Sequence, residues 1–381
     1  METMTVKKSI FVLALLGAVT GTATAQSSVT LYGLVDVSYQ NIRSGHNSAL
    51  GGASLNRLAD GSTFGPGSRW GIRAAEDLGS GLKSNVVLES GFFTDVGSSA
   101  QGGRLFGRQA FISLASTSLG EIRLGRQYIF HDEVTILNNP YGNATILNTG
   151  APITLPNGLI TMFIDAPRID NAVQYLSPVL GGFRVQAMVA AGEGVADRYH
   201  GLKASYVRGP LNIALSYEQS KSRAGRPASP GTSAIAAGDG VNKIVEMGGN
   251  YDFGAFKVFG GYQQGKDLTT GTLGVPSTGG VGTQITSLTI AGLTGAATEL
   301  KAYTAGLSVP FGSTVLAANY TRSKFENSAG AGRTLSRIGL GAHYNLSKLT
   351  SLYAAIGVHQ GDLREFVNEK TVFQLGMRKA F

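Results

Sequence analysis

Three kinds of residue in this 381-residue chain have the types and spacing to do chemistry: scattered histidines, a glycine-spaced lysine, and arginines that alternate with apolar residues. The histidines, His46, His131, His200, His343 and His359, share no ligand spacing, and without a cysteine a structural zinc site has no sulfur to build on. In "GGYQQGKD", Gly260, Gly265 and Lys266 match the outline of a phosphate-binding loop. There Asp267 stands where a hydroxyl would have to meet magnesium, and no helical period follows. No serine, histidine and acid set points to hydrolysis, so the residues predict no enzyme, no cofactor and no metal. What remains is fixed charge. Arg69, Gly71 and Arg73 alternate with Trp70, Ile72 and Ala74, and after a Gly-Ser-Gly turn Lys83, Asn85 and Glu89 share one face. Charge held in rows acts on ions and dipolar solutes rather than on bonds.

The elements that carry these rows are predicted to be strands. In "FRVQAMVA", Phe183, Val185, Ala187 and Val189 face one way and Arg184 and Gln186 the other; in "LNIALSYE", Leu211, Ile213, Leu215 and Tyr217 oppose Asn212, Ser216 and Glu218. Ile338, Leu340, Ala342 and Tyr344 likewise oppose Arg337, Gly339, Gly341 and His343, which places His343, and by the same parity His359, inward as solvated side chains. A period of two with one apolar face fixes register, because a one-residue slip inverts every side chain. Seven short turns, such as Leu78–Gly81 and Pro310–Gly312, alternate with eight longer polar connections and predict about sixteen strands.

Composition decides which side of this sheet is wet. Charged residues make up only 15% of the chain, against roughly 25% in soluble proteins, yet no apolar run reaches the ~18 residues of a membrane helix. A closed β-barrel is the remaining way to satisfy every backbone amide in hydrocarbon. Lys7 and Lys8, the apolar run Ile10–Val19 and the small residues ending at Ala25 read as an export signal, giving residues 1–25 as signal and 26–381 as barrel. Removing Lys7, Lys8 and Glu2 leaves 30 basic and 23 acidic residues, spread singly. Dispersed bases argue against nucleic acid and suit a polar lumen or an anionic lipopolysaccharide. Aromatic residues gather beside the short turns (Tyr175, Phe183, Tyr251, Phe253, Phe256, Phe311, Tyr344), as a girdle at a headgroup level requires.

The segments "SSVTLYGLVDVSY", "SRWGIRAAEDLGSGLKSNVVLESGF", "FGRQAFISL", "GEIRLGRQY" and "RIDNAVQYLSP" resemble the general porins of Gram-negative bacteria, nearest the β-proteobacterial branch. The resemblance implies a homotrimer of sixteen-stranded barrels in the outer membrane, each passing small hydrophilic solutes and narrowed by an inward-folded third loop. The ending "KTVFQLGMRKAF" looks like the signature read by the barrel-assembly machinery, with Phe381 at the membrane edge. Residues 129–167 form the longest connection and are the expected constriction loop; a connection of that length is uncommon unless functional.

By the same resemblance a basic ladder at Arg69, Arg108 and Arg168, extended by Arg73, faces that loop, and Glu89 is a pore-facing acid beside Lys83. Leu34 occupies the place of a further basic rung, and "PYGNA" puts Tyr141 where relatives carry an acid. The loop retains only Asp132, Glu133 and Asp165, so the passage is expected to favour anions. A rival reading on the same fold is a substrate-specific channel for organic acids or phosphate.

Overall fold

The computed structural model describes residues 27–44, 53–155, 158–165, 168–191, 198–221, 241–268, 293 and 297–381. The expected export signal and His46 lie outside them. Sixteen antiparallel strands close into one barrel. They are β1 (Ser27–Arg43), β2 (Ser68–Gly79), β3 (Leu82–Phe93), β4 (Gln109–Ser116), β5 (Gly120–Tyr128), β6 (Arg168–Leu176), β7 (Phe183–Ala190) and β8 (Arg198–Arg208), followed by β9 (Leu211–Lys221), β10 (Val241–Asp252), β11 (Lys257–Lys266), β12 (Ala297–Phe311), β13 (Thr314–Asn327), β14 (Gly332–Asn345), β15 (Thr350–Gln360) and β16 (Thr371–Ala380). Each strand pairs with its sequence neighbours, and β1 closes the ring by pairing with β2 (Ser27↔Glu76 to Leu34↔Arg69) and β16 (Leu34↔Ala380 to Arg43↔Thr371). The glycine-spaced segment around Lys266 belongs to β11, so its glycines lie in an extended ladder rather than a phosphate cradle.

Burial is inverted relative to a soluble sheet. On β7, Phe183, Val185 and Val189 are 60%, 53% and 54% exposed while Gln186 is 5% exposed. The apolar face therefore looks outward and the polar face is packed inside, as expected where hydrocarbon is the outer solvent. At the rim, Phe253 packs between Tyr251 and Phe256 with ring centroids 4.5 and 4.7 Å apart. The seam is closed by Phe381, whose backbone exchanges two hydrogen bonds with Gly33 (2.9 and 3.1 Å). A Cβ on Gly33 would come within 2.2 Å of Phe381 Cζ, so any larger residue there displaces the Phe381 ring.

One connection departs from the short–long alternation. Between β13 and β14 the chain turns in four residues, because the Asn327 side chain accepts hydrogen bonds from the Ala329 and Ala331 amides. The apolar core lies inside the barrel, where the loop over residues 129–167 packs on the wall in three places. Ile129 and Phe130 meet Ile169, Met188 and Tyr199; Ile146 and Leu147 meet Ile42, Ala355 and Val372; and Ile153, Leu155, Ile160, Met162, Phe163 and Ile164 meet Ile244, Leu300, Phe325 and Leu335.

Candidate functional site

The loop enters the barrel through one short helix, α1 (Phe130–Leu137). Asp132 and Glu133 sit in its first turn, where the helix dipole favours negative charge, and Phe130, Val134 and Thr135 turn to the wall. Two wall carboxylates fasten it. Glu218 on β9 lies 2.8 Å from His131 Nδ1, and Glu246 on β10 accepts from Thr135 (2.8 Å), Asn138 (3.1 Å) and Gln263 (2.6 Å). Glu133 pairs with Lys203 of β8. Further along, Leu147 O accepts from Asn319, Met162 O accepts from Ser323, and Ile146 N donates to Gln374. The loop thus lies across the lumen as a fixed partition rather than above it.

Between this loop and the wall of β2 to β6 is a cavity of about 390 Å³, lined by Arg69, Arg73, Glu89, Arg108, Tyr128, Asp132, Glu133, Asp165 and Arg168 among others. The arginines are held in a linked array. Arg108 Nε donates to Glu89 (2.7 Å) and its Nη1 to Pro66 O (2.7 Å); Arg69 stands 3.7 Å from Glu89, and Tyr32 donates to the same carboxylate (3.0 Å). Tyr128 joins the array: its hydroxyl accepts from Arg108 (2.7 Å) and Arg168 (3.0 Å), and the Arg168 guanidinium lies 4.6 Å from its ring centroid. Arg73 rests on the Tyr32 ring at 4.0 Å. One acid thus serves several guanidiniums, which remain charged because arginine does not lose its proton in proteins.

The loop acids behave differently. Burial pushes the Asp132 carboxyl well above the usual range, and repulsion from Asp165 adds to it; burial also raises Asp165. Both carboxyls are thus shifted toward the protonated form, Asp132 the more strongly. Burial works against a proton on His131, but Glu218 outweighs it and brings the imidazole to about 9. The cavity therefore combines permanent positive charge on one face with acids on the other whose charge is disfavoured by burial, as in Asp132 and Asp165, or paired, as in Glu133.

A family model described as Gram-negative porin matches residues 12–362. An outer membrane porin protein of Bordetella pertussis is 32% identical over 376 residues, covering 91% of this chain and 93% of the relative. The chain belongs to the Gram-negative porin family. Among solved structures, an anion-selective porin from Comamonas acidovorans is 25% identical with a TM-score of 0.69, covering 93% of this chain and all of that one. An outer membrane protein of Vibrio cholerae in its trimer form shares the fold at 17% identity, TM-score 0.64, with 93% and 99% covered. The porin is accordingly an outer-membrane barrel and a channel rather than an enzyme.

The porin brings most of the sequence-predicted residues together. Arg69, Arg73, Glu89, Arg108, Arg168, Asp132, Glu133 and Asp165 all line the one cavity. Lys83 is not among its lining residues: it lies at the start of β3, paired with Asp77 beside the Gly79–Gly81 turn. Tyr141 is absent from the cavity as well. Its ring stacks on His343 (3.9 Å) and its hydroxyl donates its one proton between Val315 O and Gly341 O (2.6 and 2.8 Å), fastening the loop to the far wall. His343 and His359 are correspondingly buried rather than solvated: Tyr141 of the loop stacks on His343, and His359 Nδ1 donates to Glu369 O in the β15–β16 connection. Tyr128, Glu218 and Glu246 have roles the sequence reading did not assign. Tyr128 ends β5, which meets β6 across a register shift between Ile169 and Ala172, so inside–outside parity is no guide there.

Proposed function

We propose that the porin is a passive diffusion channel for small hydrophilic solutes that prefers anions, with Arg69, Arg108 and Arg168 as the selecting charges. The observation that carries this reading is the imbalance at the narrowing: several guanidiniums around one carboxylate, Glu89, with the loop acids buried. A field of one sign in a confined passage raises the local concentration of counter-ions without binding them tightly. Arg73 extends the field along β2, and Glu89 both fixes Arg108 and limits the net charge. The name of the similar Comamonas porin agrees with this preference.

The porin is further proposed to act as a homotrimer, in keeping with the trimer form of the Vibrio fold neighbour. Its basic residues are proposed to meet lipopolysaccharide, and Phe381 to present the end of β16 to the barrel-assembly machinery. Purified protein in a planar bilayer under a KCl gradient tests the main reading. A zero-current potential of the sign set by chloride, with conductance steps in threes, is expected; a potassium-selective potential overturns the anion preference, and independent single steps overturn the trimer.

A further inference from the structure

A second group of basic side chains is sealed away from the cavity, between the loop and the wall. Arg337 on β14 and His359 on β15 are direct ladder partners, and both side chains point inward with 0% exposure. The Arg337 Nη2 donates to Leu147 O (3.1 Å) and Asn148 O (2.8 Å) of the loop. Its Nε and Nη1 have no hydrogen-bond partner, and among the described residues no carboxylate neutralises it. His359 donates from Nδ1 to Glu369 O (2.5 Å), which fixes its tautomer, and its Nε2 is also without a partner. The surroundings are aliphatic: Ile146 crosses Gly357 beside the Arg337 stem, closely enough that a Cβ on Gly357 would meet Ile146 at 2.6 Å and Arg337 Cδ at 3.5 Å.

An isolated buried charge is strongly disfavoured, and arginine cannot escape by losing its proton. Two N–H groups of one guanidinium, buried side by side with no acid to meet them, are an incomplete ion pair. We propose that a small inorganic anion, a halide, completes it, accepting from Arg337 Nε and Nη1. A monovalent sphere suits the place better than an oxyanion or an organic acid. It demands no fixed acceptor geometry, carries one charge against one guanidinium, and is small enough for a site that both side chains show to be closed to solvent. Because Arg337 also holds Leu147 O and Asn148 O, the anion stabilises the placement of the loop without lying in the solute path.

Crystals of the porin soaked in sodium bromide, with data collected at the bromine edge, test the site directly. An anomalous peak in contact with Arg337 Nε and Nη1 is expected, and none at this place in Arg337→Met. In detergent at constant ionic strength, the melting temperature of the wild type is expected to be higher in chloride than in gluconate, and this difference to vanish in Arg337→Met but persist in Arg73→Met. If Arg337→Met fails to fold, the wild-type crystal alone decides. Ordered water without anomalous density at the guanidinium overturns the proposal, whatever the melting curves show. Conduction enters neither arm, so the result is independent of the proposed ion preference.

Discussion

The two faces of the cavity are buried to a similar degree and respond to burial in opposite ways. On the strand face, Arg108 and Arg168 are 4% and 5% exposed; on the loop face, Asp132 and Asp165 are 7% and 5% exposed. Guanidiniums remain charged and gather partners, here Glu89, Pro66 O and the Tyr128 hydroxyl. The two loop carboxyls are instead pushed toward their neutral form, because burial penalises the charged one. Counting bases and acids around a passage therefore understates its field. What matters is which side chains are able to shed their charge.

The most disruptive way to break this contrast is to replace Arg69, Arg108 and Arg168 together by Gln. Glu89 is then balanced by Arg73 alone, and the zero-current potential under a KCl gradient is expected to collapse toward zero. Next comes the fastening of the loop. Glu246→Leu leaves Thr135, Asn138 and Gln263 without their shared acceptor and is expected to destabilise the protein by roughly 3 kcal/mol in urea, with increased open-channel noise.

The His131–Glu218 contact gives a pH signature. With the imidazole at about 9 in the folded protein against 6.5 ordinarily, its contribution is fully present below pH 6.5 and is lost as pH rises through 9. Unfolding midpoints measured between pH 6 and pH 10 are expected to fall over this window in the wild type and to lose that fall in His131→Gln. A smaller effect is expected from Tyr141→Phe, which keeps the stack on His343 but loses the hydroxyl: about 1 kcal/mol in unfolding free energy. Smallest of all, Asp132→Asn is expected to leave the zero-current potential nearly unchanged, because burial already disfavours the charge on that carboxyl. A clear shift toward anions in this variant would show the loop face to be charged and collapse the contrast.

Much of this was legible in the sequence, for a physical reason. Alternation with one apolar face admits a single register, so Arg69, Arg73 and Glu89 could be assigned to the lumen before any coordinates. The fate of the loop was not legible. Ile244, Leu300, Phe325 and Leu335 point inward yet are apolar, and their contacts with loop residues such as Ile153, Met162 and Phe163 explain them. Glu218 and Glu246 follow the inward parity of any lumen acid; their use as fasteners depends on where α1 lands. The same holds for Tyr141, which the family resemblance set in the narrowing and which the chain, turning there with a left-handed φ of 64°, carries to the opposite wall. Parity governs the strands, whereas packing governs what crosses between them.

The seam between β1 and β16 joins residues as distant in sequence as Leu34 and Ala380. Until it forms, both strands present unpaired amides and carbonyls, which hydrocarbon cannot solvate and which invite pairing with other chains. Without this last pairing the wall is an open sheet with two bare edges, and a lesion at Gly33, whose backbone exchanges hydrogen bonds with Phe381, falls at that joint.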